Sequence, residues 1–129
     1  MATVLFLAED DPLMSGMYER ALKFYNFDLQ KVNDGEKAIE TLKSMNPKPA
    51  VAVLDVMMPK KSGFDVLKEM KGDPTLSKIP VILLTNLSGD EDIKKGLGLG
   101  AELCLIKSQY SSKEIVQKIK EVISKHEVQ

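Results

Sequence analysis

Five short apolar runs alternate along the chain with amphipathic segments. The runs span residues 3–8, 27–32, 51–54, 81–84 and 103–106, and the second is the weakest because charged and amide side chains interrupt it. Runs that are apolar on successive residues predict strands buried on both faces, as in a parallel sheet covered by helices.

The segments between the runs carry helix signals. Asp11 suits an N-cap and Pro12 the first turn of a helix that ends near residues 25–26, and apolar positions 13, 17, 21 and 24 recur in it at helical spacing. Further helices are predicted over residues 36–45, 63–71 and 91–97. Ser111 and Glu114 form a capping box that begins a last amphipathic helix, with apolar positions 115, 116, 119, 122 and 123 on its inner side.

The predicted order is therefore a strand and a helix repeated five times, and we expect one domain over residues 1–129 with no linker and no output domain. This alternation predicts an α/β fold, a doubly wound parallel sheet with right-handed crossovers. Such sheets bind ligands at the carboxyl ends of the strands, where the direction of winding reverses. We expect the fourth helix to be the most mobile element, because Gly96, Gly98 and Gly100 weaken its end.

Composition narrows the function classes. The 129 residues include 18 basic and 19 acidic side chains, and a net charge of −1 argues against nucleic acid or an anionic membrane as the main partner. No apolar run approaches the roughly 18 residues that span a bilayer. The single cysteine, Cys104, excludes an intrachain disulfide and suits a reducing cytoplasm. The single histidine, His126, excludes an all-histidine metal site.

Polar residues follow four of the predicted strands. Glu9 and Asp10 follow the first, Asp55 the third, Thr85 the fourth and Lys107 the fifth. Each has an ordinary explanation by itself, since acids favour helix starts and a lysine can be solvated. Parallel strands end at one edge of a sheet, so we expect the five side chains to share one crevice.

Three carboxylates in one crevice repel one another. Two such charges about 4 Å apart cost about 4 kcal/mol at an effective dielectric near 20. Lys107 offsets part of that charge, and a divalent cation would offset the rest. An all-oxygen ligand set favours Mg²⁺, and Mn²⁺ is also possible. Calcium is the structural alternative, but the sequence has no calcium-loop spacing.

With a cation in place, Asp55 is a candidate nucleophile. A carboxylate is already ionised and can accept a phosphoryl group to form an aspartyl phosphate. Thr85 and Lys107 would then stabilise the oxygens of the phosphoryl group in the transition state.

Four segments together resemble the receiver domain of two-component response regulators of the chemotaxis-regulator type: VLFLAEDDP, VAVLDVMMPKKSG, PVILLTN and GAELCLIK. The resemblance implies a flavodoxin-like (βα)5 fold with five parallel strands in the order 2-1-3-4-5. It also implies a signalling phosphoacceptor and not an enzyme in the ordinary sense.

The resemblance further implies a role for each site residue. Asp55 would accept the phosphoryl group, Asp10 would bind Mg²⁺ directly, Glu9 would act through water, and the Met57 backbone carbonyl would be a further ligand. On the phosphorylated protein, the Thr85 hydroxyl would hydrogen-bond the phosphoryl group and the Lys107 ammonium would ion-pair with it.

Partners follow from the same resemblance. The donor would be a histidine kinase, a phosphotransfer protein or a small acyl phosphate. Phosphorylation would change the face formed by the fourth helix, the fifth strand and the fifth helix. A downstream protein target or a separate output domain would read that change, and a homodimer that forms on phosphorylation is left open.

The chain departs from the family pattern at three positions. Ser108 replaces the proline that usually follows the lysine, so we expect either a trans bond with a rearranged loop or a strained cis bond. Cys104 stands where the family has its switch aromatic, and Tyr110 is nearby. Asn86 follows Thr85 where a small residue is usual, which would narrow access for phosphate or add a hydrogen bond.

Met57 and Leu87 occupy the positions that in receivers flank the path of the hydrolytic water. Neither side chain can orient a water molecule, so we expect slow autodephosphorylation.

Two other functions fit parts of this pattern. A metal-dependent phosphatase with an aspartyl nucleophile often has a second aspartate two residues on, and here that position is Met57. A pseudo-receiver that only binds proteins would fit the changes at Cys104 and Ser108, although the acids, threonine and lysine that it would not need are retained.

Overall fold

Five strands alternate with five helices along residues 3–86 and 89–127, the part of the chain that the computed structural model describes. The elements are β1 (Val4–Ala8), α1 (Pro12–Phe24), β2 (Asp28–Val32), α2 (Gly35–Ser44), β3 (Val51–Asp55), α3 (Gly63–Lys71), β4 (Val81–Thr85), α4 (Asp90–Gly98), β5 (Leu103–Ile106), a short 3-10 turn (Lys107–Gln109) and α5 (Ser112–Glu127). Most predicted boundaries hold to within one residue.

All five strands are parallel, in the order β2-β1-β3-β4-β5, which confirms the predicted flavodoxin-like topology. The register places Ala8 opposite Leu54 and Asp55 opposite Leu84. Thr85 lies opposite Ile106, the last residue of β5. The strand ends therefore meet at one edge, as the sequence indicated.

Helices cover both faces of the sheet. On one face α1 and α5 pack against β1, β3, β4 and β5 through Tyr18, Leu22 and the predicted inner residues of α5. On the other face α2 and α3 contribute Leu42, Leu67 and Met70. Every residue of β3 and β4 is buried, as expected for strands covered on both sides. Within the described ranges, no helix combines the length and apolar character that a membrane crossing requires.

Side-chain caps fix where the helices begin. Asp11 is the N-cap of α1, and its Oδ1 accepts hydrogen bonds from the backbone N–H groups of Leu13 and Met14 at 2.9 and 3.4 Å. Ser111 and Glu114 form the predicted capping box ahead of α5. Ser62 and Asp65 cap α3 in the same way, a feature that the sequence reading did not identify.

Three of the four apolar positions predicted to face inward on α1 are exposed, and only Ala21 packs against the core. Leu13 is 80% exposed and Phe24 76% exposed, and Met17 is also exposed. Ser15, Tyr18 and Leu22 are buried instead. Both stripes have helical spacing, so the periodicity alone could not choose between them. In the structure, the face of α1 that carries Tyr18 packs on the sheet, and the ring of this amphipathic residue lies in the core.

Glycine brings α4 close to the sheet. Gly96 is the buried residue of this helix, and a Cβ there would lie 2.8 Å from Leu83 Cδ1 and 3.2 Å from Cys104 Sγ. Helix α4 extends from Asp90 to Gly98 despite its glycines. Its greater mobility remains a prediction.

Candidate functional site

Three ionisable side chains are buried at the carboxyl edge of the sheet. Glu9 directly follows β1, Asp55 ends β3 and Lys107 directly follows β5. Their exposed fractions are 2%, 2% and 8%. Burial of this extent is rare for charged groups unless they are paired.

Lys107 pairs with both carboxylates. Its Nζ donates to Glu9 Oε1 at 2.7 Å and lies 3.2 Å from Asp55 Oδ2. The other oxygens are also occupied, since Glu9 Oε2 accepts from the Asp11 N–H at 3.2 Å and Asp55 Oδ1 accepts from the Met57 N–H at 3.2 Å. Charge-assisted hydrogen bonds of this kind hold both carboxylates in fixed orientations.

The site changes the proton affinities of its members. Burial and the neighbouring Glu9 carboxyl raise the pKa of Asp55 to about 8, although Lys107 opposes this shift. Burial alone would lower the pKa of Lys107, but Glu9 and Asp55 reverse that effect and hold it above its usual range. Without a cation, Asp55 therefore tends to hold a proton near neutral pH.

The acidic residues form a ligand set for a hard cation. Glu9, Asp10 and Asp55 each offer one carboxylate oxygen, and these oxygens lie within 4.8 Å of one another. Asp10 is exposed, and all three line a crevice of about 350 Å³ that opens to solvent. Oxygen ligands alone, with room for water, fit Mg²⁺.

The other predicted site residues lie around the same crevice. Thr85 is fully buried at the end of β4. Asn86 and Met57 line the crevice with Lys107, and the Met57 side chain is 57% exposed at its rim. Leu87, which we expected beside the path of water, lies outside the described residues.

Two of the three departures from the family pattern, at Ser108 and Cys104, have structural outcomes. Among the described residues only Asn46–Pro47 is cis, so the Lys107–Ser108 bond is trans and the loop after it forms the 3-10 turn. Cys104 packs with Leu83 on the α2/α3 side of the sheet. Tyr110 packs on the opposite, α1/α5 side, so it does not take the place of an aromatic at position 104.

Tyr18 is a neighbour of the site that the sequence reading missed. It is buried on the inner face of α1, and burial, together with the carboxylates of Glu9 and Asp55, raises its pKa to about 12. Its position seven residues after the Asp11 cap, two helical turns on, was the signal that could have placed it on the same side of α1 as that cap.

Sequence comparison identifies similar proteins. The family described as "Response regulator receiver domain" matches residues 5–120. The "Transcriptional regulatory protein CpxR homolog" of Haemophilus influenzae is 34% identical over 119 residues, which are 92% of this chain and 49% of that protein. The chain thus spans about half the length of this curated relative.

Solved structures share the fold. The receiver domain of the Francisella response regulator 1452 superimposes with a TM-score of 0.87 at 23% identity, covering 96% of this chain and 98% of that one. The phosphorylated cyanobacterial phytochrome response regulator RcpA is 29% identical, with a TM-score of 0.75 over 98% of this chain and 93% of that one. The first likeness concerns the fold alone, and the second extends to sequence.

Proposed function

The chain belongs to the response regulator receiver domain family, and from this premise we propose that Asp55 accepts a phosphoryl group from a phosphohistidine or a small acyl phosphate. The observation that carries the proposal is the buried contact of Lys107 with Glu9 and Asp55 at the edge where Asp10 also lies. Its test is whether Asp55 takes up a phosphoryl group in a reaction that needs Mg²⁺.

The residues divide the chemistry between them. One carboxylate oxygen of Asp55 attacks phosphorus, and the bond from phosphorus to the leaving oxygen or imidazole nitrogen breaks, with its electron pair staying on the leaving group. Lys107 turns from the carboxylates toward the phosphoryl oxygens, and the Thr85 hydroxyl hydrogen-bonds one of them. Both groups act where negative charge develops in the transition state.

Glu9, Asp10, Asp55 and the Met57 backbone carbonyl would hold the cation. When bound, Mg²⁺ would offset the charge of the carboxylates and of the phosphoryl oxygens. Without a cation the pKa of Asp55 is about 8, so Asp55 must lose a proton before it can act as the nucleophile.

Phosphorylation would be read at the surface of α4, β5 and α5. It adds about −1.5 to −2 charges at Asp55. Since Thr85 ends β4 opposite the last residue of β5, a shift of Thr85 toward the phosphoryl group would act on the strand that supports α4. We propose further that a histidine kinase or phosphotransfer protein donates the phosphoryl group in the cytoplasm, and that a downstream target or output domain reads the change. A homodimer that forms on phosphorylation is part of the same proposal.

The pseudo-receiver alternative is weaker on this structure. A chain used only for protein binding has no need to bury two carboxylates against one lysine, because such groups lose solvation when they leave water. The pairing of Lys107 with Glu9 and Asp55 therefore favours phosphoryl chemistry.

The aspartyl phosphate at Asp55 is expected to be hydrolysed slowly when no other protein assists. Met57 stands at the rim of the crevice, and its thioether cannot orient an attacking water. Met57→Asn would supply a carboxamide there and shorten the lifetime of the phosphorylated state by about tenfold, by positioning the water. The decay of the adduct, followed by intact mass, measures this effect.

Met17→Asn is the matched control, because Met17 is exposed on α1. It should leave the lifetime unchanged. A wild-type lifetime of only seconds, or equal lifetimes in wild type and Met57→Asn, would contradict the expectation.

A further inference from the structure

The loop between β3 and α3 joins the phosphoacceptor to a tight turn. The loop leaves β3 at Asp55, and at its far end the Lys61 N–H donates to the Pro59 carbonyl oxygen at 2.8 Å. Lys60, at the centre of this turn, has a φ of +70°. Residues other than glycine rarely adopt a positive φ of this size, so contacts with neighbouring elements must hold the turn in place.

Helix α2 holds the turn from one side. The Gly35 N–H donates to the Pro59 carbonyl oxygen at 3.3 Å. A Cβ at position 35 would overlap the carbonyl oxygen of Lys61 and lie 2.5 Å from the Lys61 Cβ. Glycine is therefore required here for space, because the loop backbone rests directly on the first turn of α2.

Helix α3 holds the turn from the other side. Lys61 Nζ donates to both carboxylate oxygens of Glu69, at 2.8 and 2.7 Å. Gly63, at the start of α3, packs so closely that a Cβ there would lie 2.5 Å from the Asp55 carbonyl oxygen. The loop is thus fixed at Asp55, at the turn and at its entry into α3.

Met57 lies between these fixed points. Its N–H donates to Asp55 Oδ1, so its backbone orientation is tied to the carboxylate. A side chain at position 35 that displaced the turn would strain the short stretch between Asp55 and the turn, on which Met57 lies.

We propose that Gly35 is a positioning residue for the cation: its lack of a side chain lets the loop after β3 close onto α2, which would hold the Met57 carbonyl where it can join the acidic ligands. This inference rests on the proposed function, since it concerns the same cation. It assigns a role to a residue on α2, an element that contributes no ligand.

The test compares Gly35→Ala with Gly98→Ala, since a Cβ at Gly98 would meet nothing within 4 Å. Amide NMR shifts followed during a Mg²⁺ titration give the affinity of the folded protein, and urea unfolding gives its stability separately. We expect Gly35→Ala to bind Mg²⁺ about tenfold more weakly, as for other residues that orient metal ligands indirectly. Gly98→Ala should remain within about twofold of wild type.

The outcomes separate the alternatives. If Gly35→Ala loses stability but binds Mg²⁺ like wild type, Gly35 is merely structural and the inference fails. If wild type itself shows no Mg²⁺-dependent shifts, the cation part of the proposed function fails first.

A second variant covers the case in which Gly35→Ala does not fold. Lys61→Ala frees the turn from Glu69 without crowding it, and should weaken Mg²⁺ binding about threefold, a smaller effect because the contact with α2 remains. Unchanged affinity in Lys61→Ala would then overturn the inference.

Discussion

Replacing Lys107 with alanine is expected to lower the free energy of unfolding of the metal-free protein by about 3 kcal/mol at neutral pH. The reason is that Glu9 and Asp55 are each 2% exposed, and Lys107 is the cation between them. Without it, the Glu9 carboxylate loses the cation that offsets its burial, and Asp55, whose pKa Lys107 holds down, binds its proton still more tightly. Urea unfolding at about pH 7.5 measures the loss.

Lys118→Ala is the control for the lost lysine. Its ammonium lies 3.9 Å from Glu121 on the exposed side of α5, where ion pairs contribute about 0–1 kcal/mol. The cost of Lys107→Ala should also shrink in acid, because a protonated carboxyl is neutral and no longer needs a cation beside it. A loss below about 1 kcal/mol would contradict the account, since it would mean that the buried carboxylates do not depend on Lys107.

The Asp55→Asn variant should be more stable than the wild type in the absence of metal, by about 2 kcal/mol at pH 8. The sign follows from the pKa of Asp55, which stands near 8 in the folded protein and near 3.8 in an unfolded chain. Below the lower value both states are protonated and the carboxyl adds no penalty. As pH rises from about 4 to 8, the unfolded chain loses its proton while the folded protein retains it, so the wild type loses stability.

Asparagine does not titrate, so the difference between the two proteins should widen as pH rises through that window. The expected gain is smaller than the roughly 5 kcal/mol of a four-unit shift, because asparagine remains a buried polar group beside Glu9. Saturating Mg²⁺ should reverse the order by stabilising the wild type alone. Asp28→Asn, on the exposed edge of β2, is the control. If the difference in stability between Asp55→Asn and the wild type were the same at pH 5 as at pH 8, this prediction would be wrong.

The sequence predicted the sheet well because its signals are local. Every position of Val51–Asp55 and Val81–Thr85 is buried, as the runs of apolar residues in these strands predicted. Strand order needed the resemblance to a family as well. On α1 the same reasoning selected the wrong face, because Leu13 and Tyr18 both lie on stripes of helical period and only the docked helix distinguishes them.

The site was predictable for a topological reason. Glu9, Asp55 and Lys107 follow different strands, but parallel strands bring such positions to one edge. The pairing of Lys107 with both carboxylates depends on side-chain distances across the sheet and could not be read from spacing. The contact of Gly35 with Lys61 joins segments 26 residues apart, and the sequence shows there only a turn.

The most direct test of the central claim is the intact mass of the protein after incubation with a small acyl phosphate, with and without Mg²⁺, for the wild type and Asp55→Ala. We expect a single phosphoryl adduct on the wild type that requires Mg²⁺ and is absent from Asp55→Ala. An adduct that persists in Asp55→Ala would contradict the claim. So would a wild-type protein that, with Mg²⁺ present, takes up neither a phosphoryl group nor beryllofluoride.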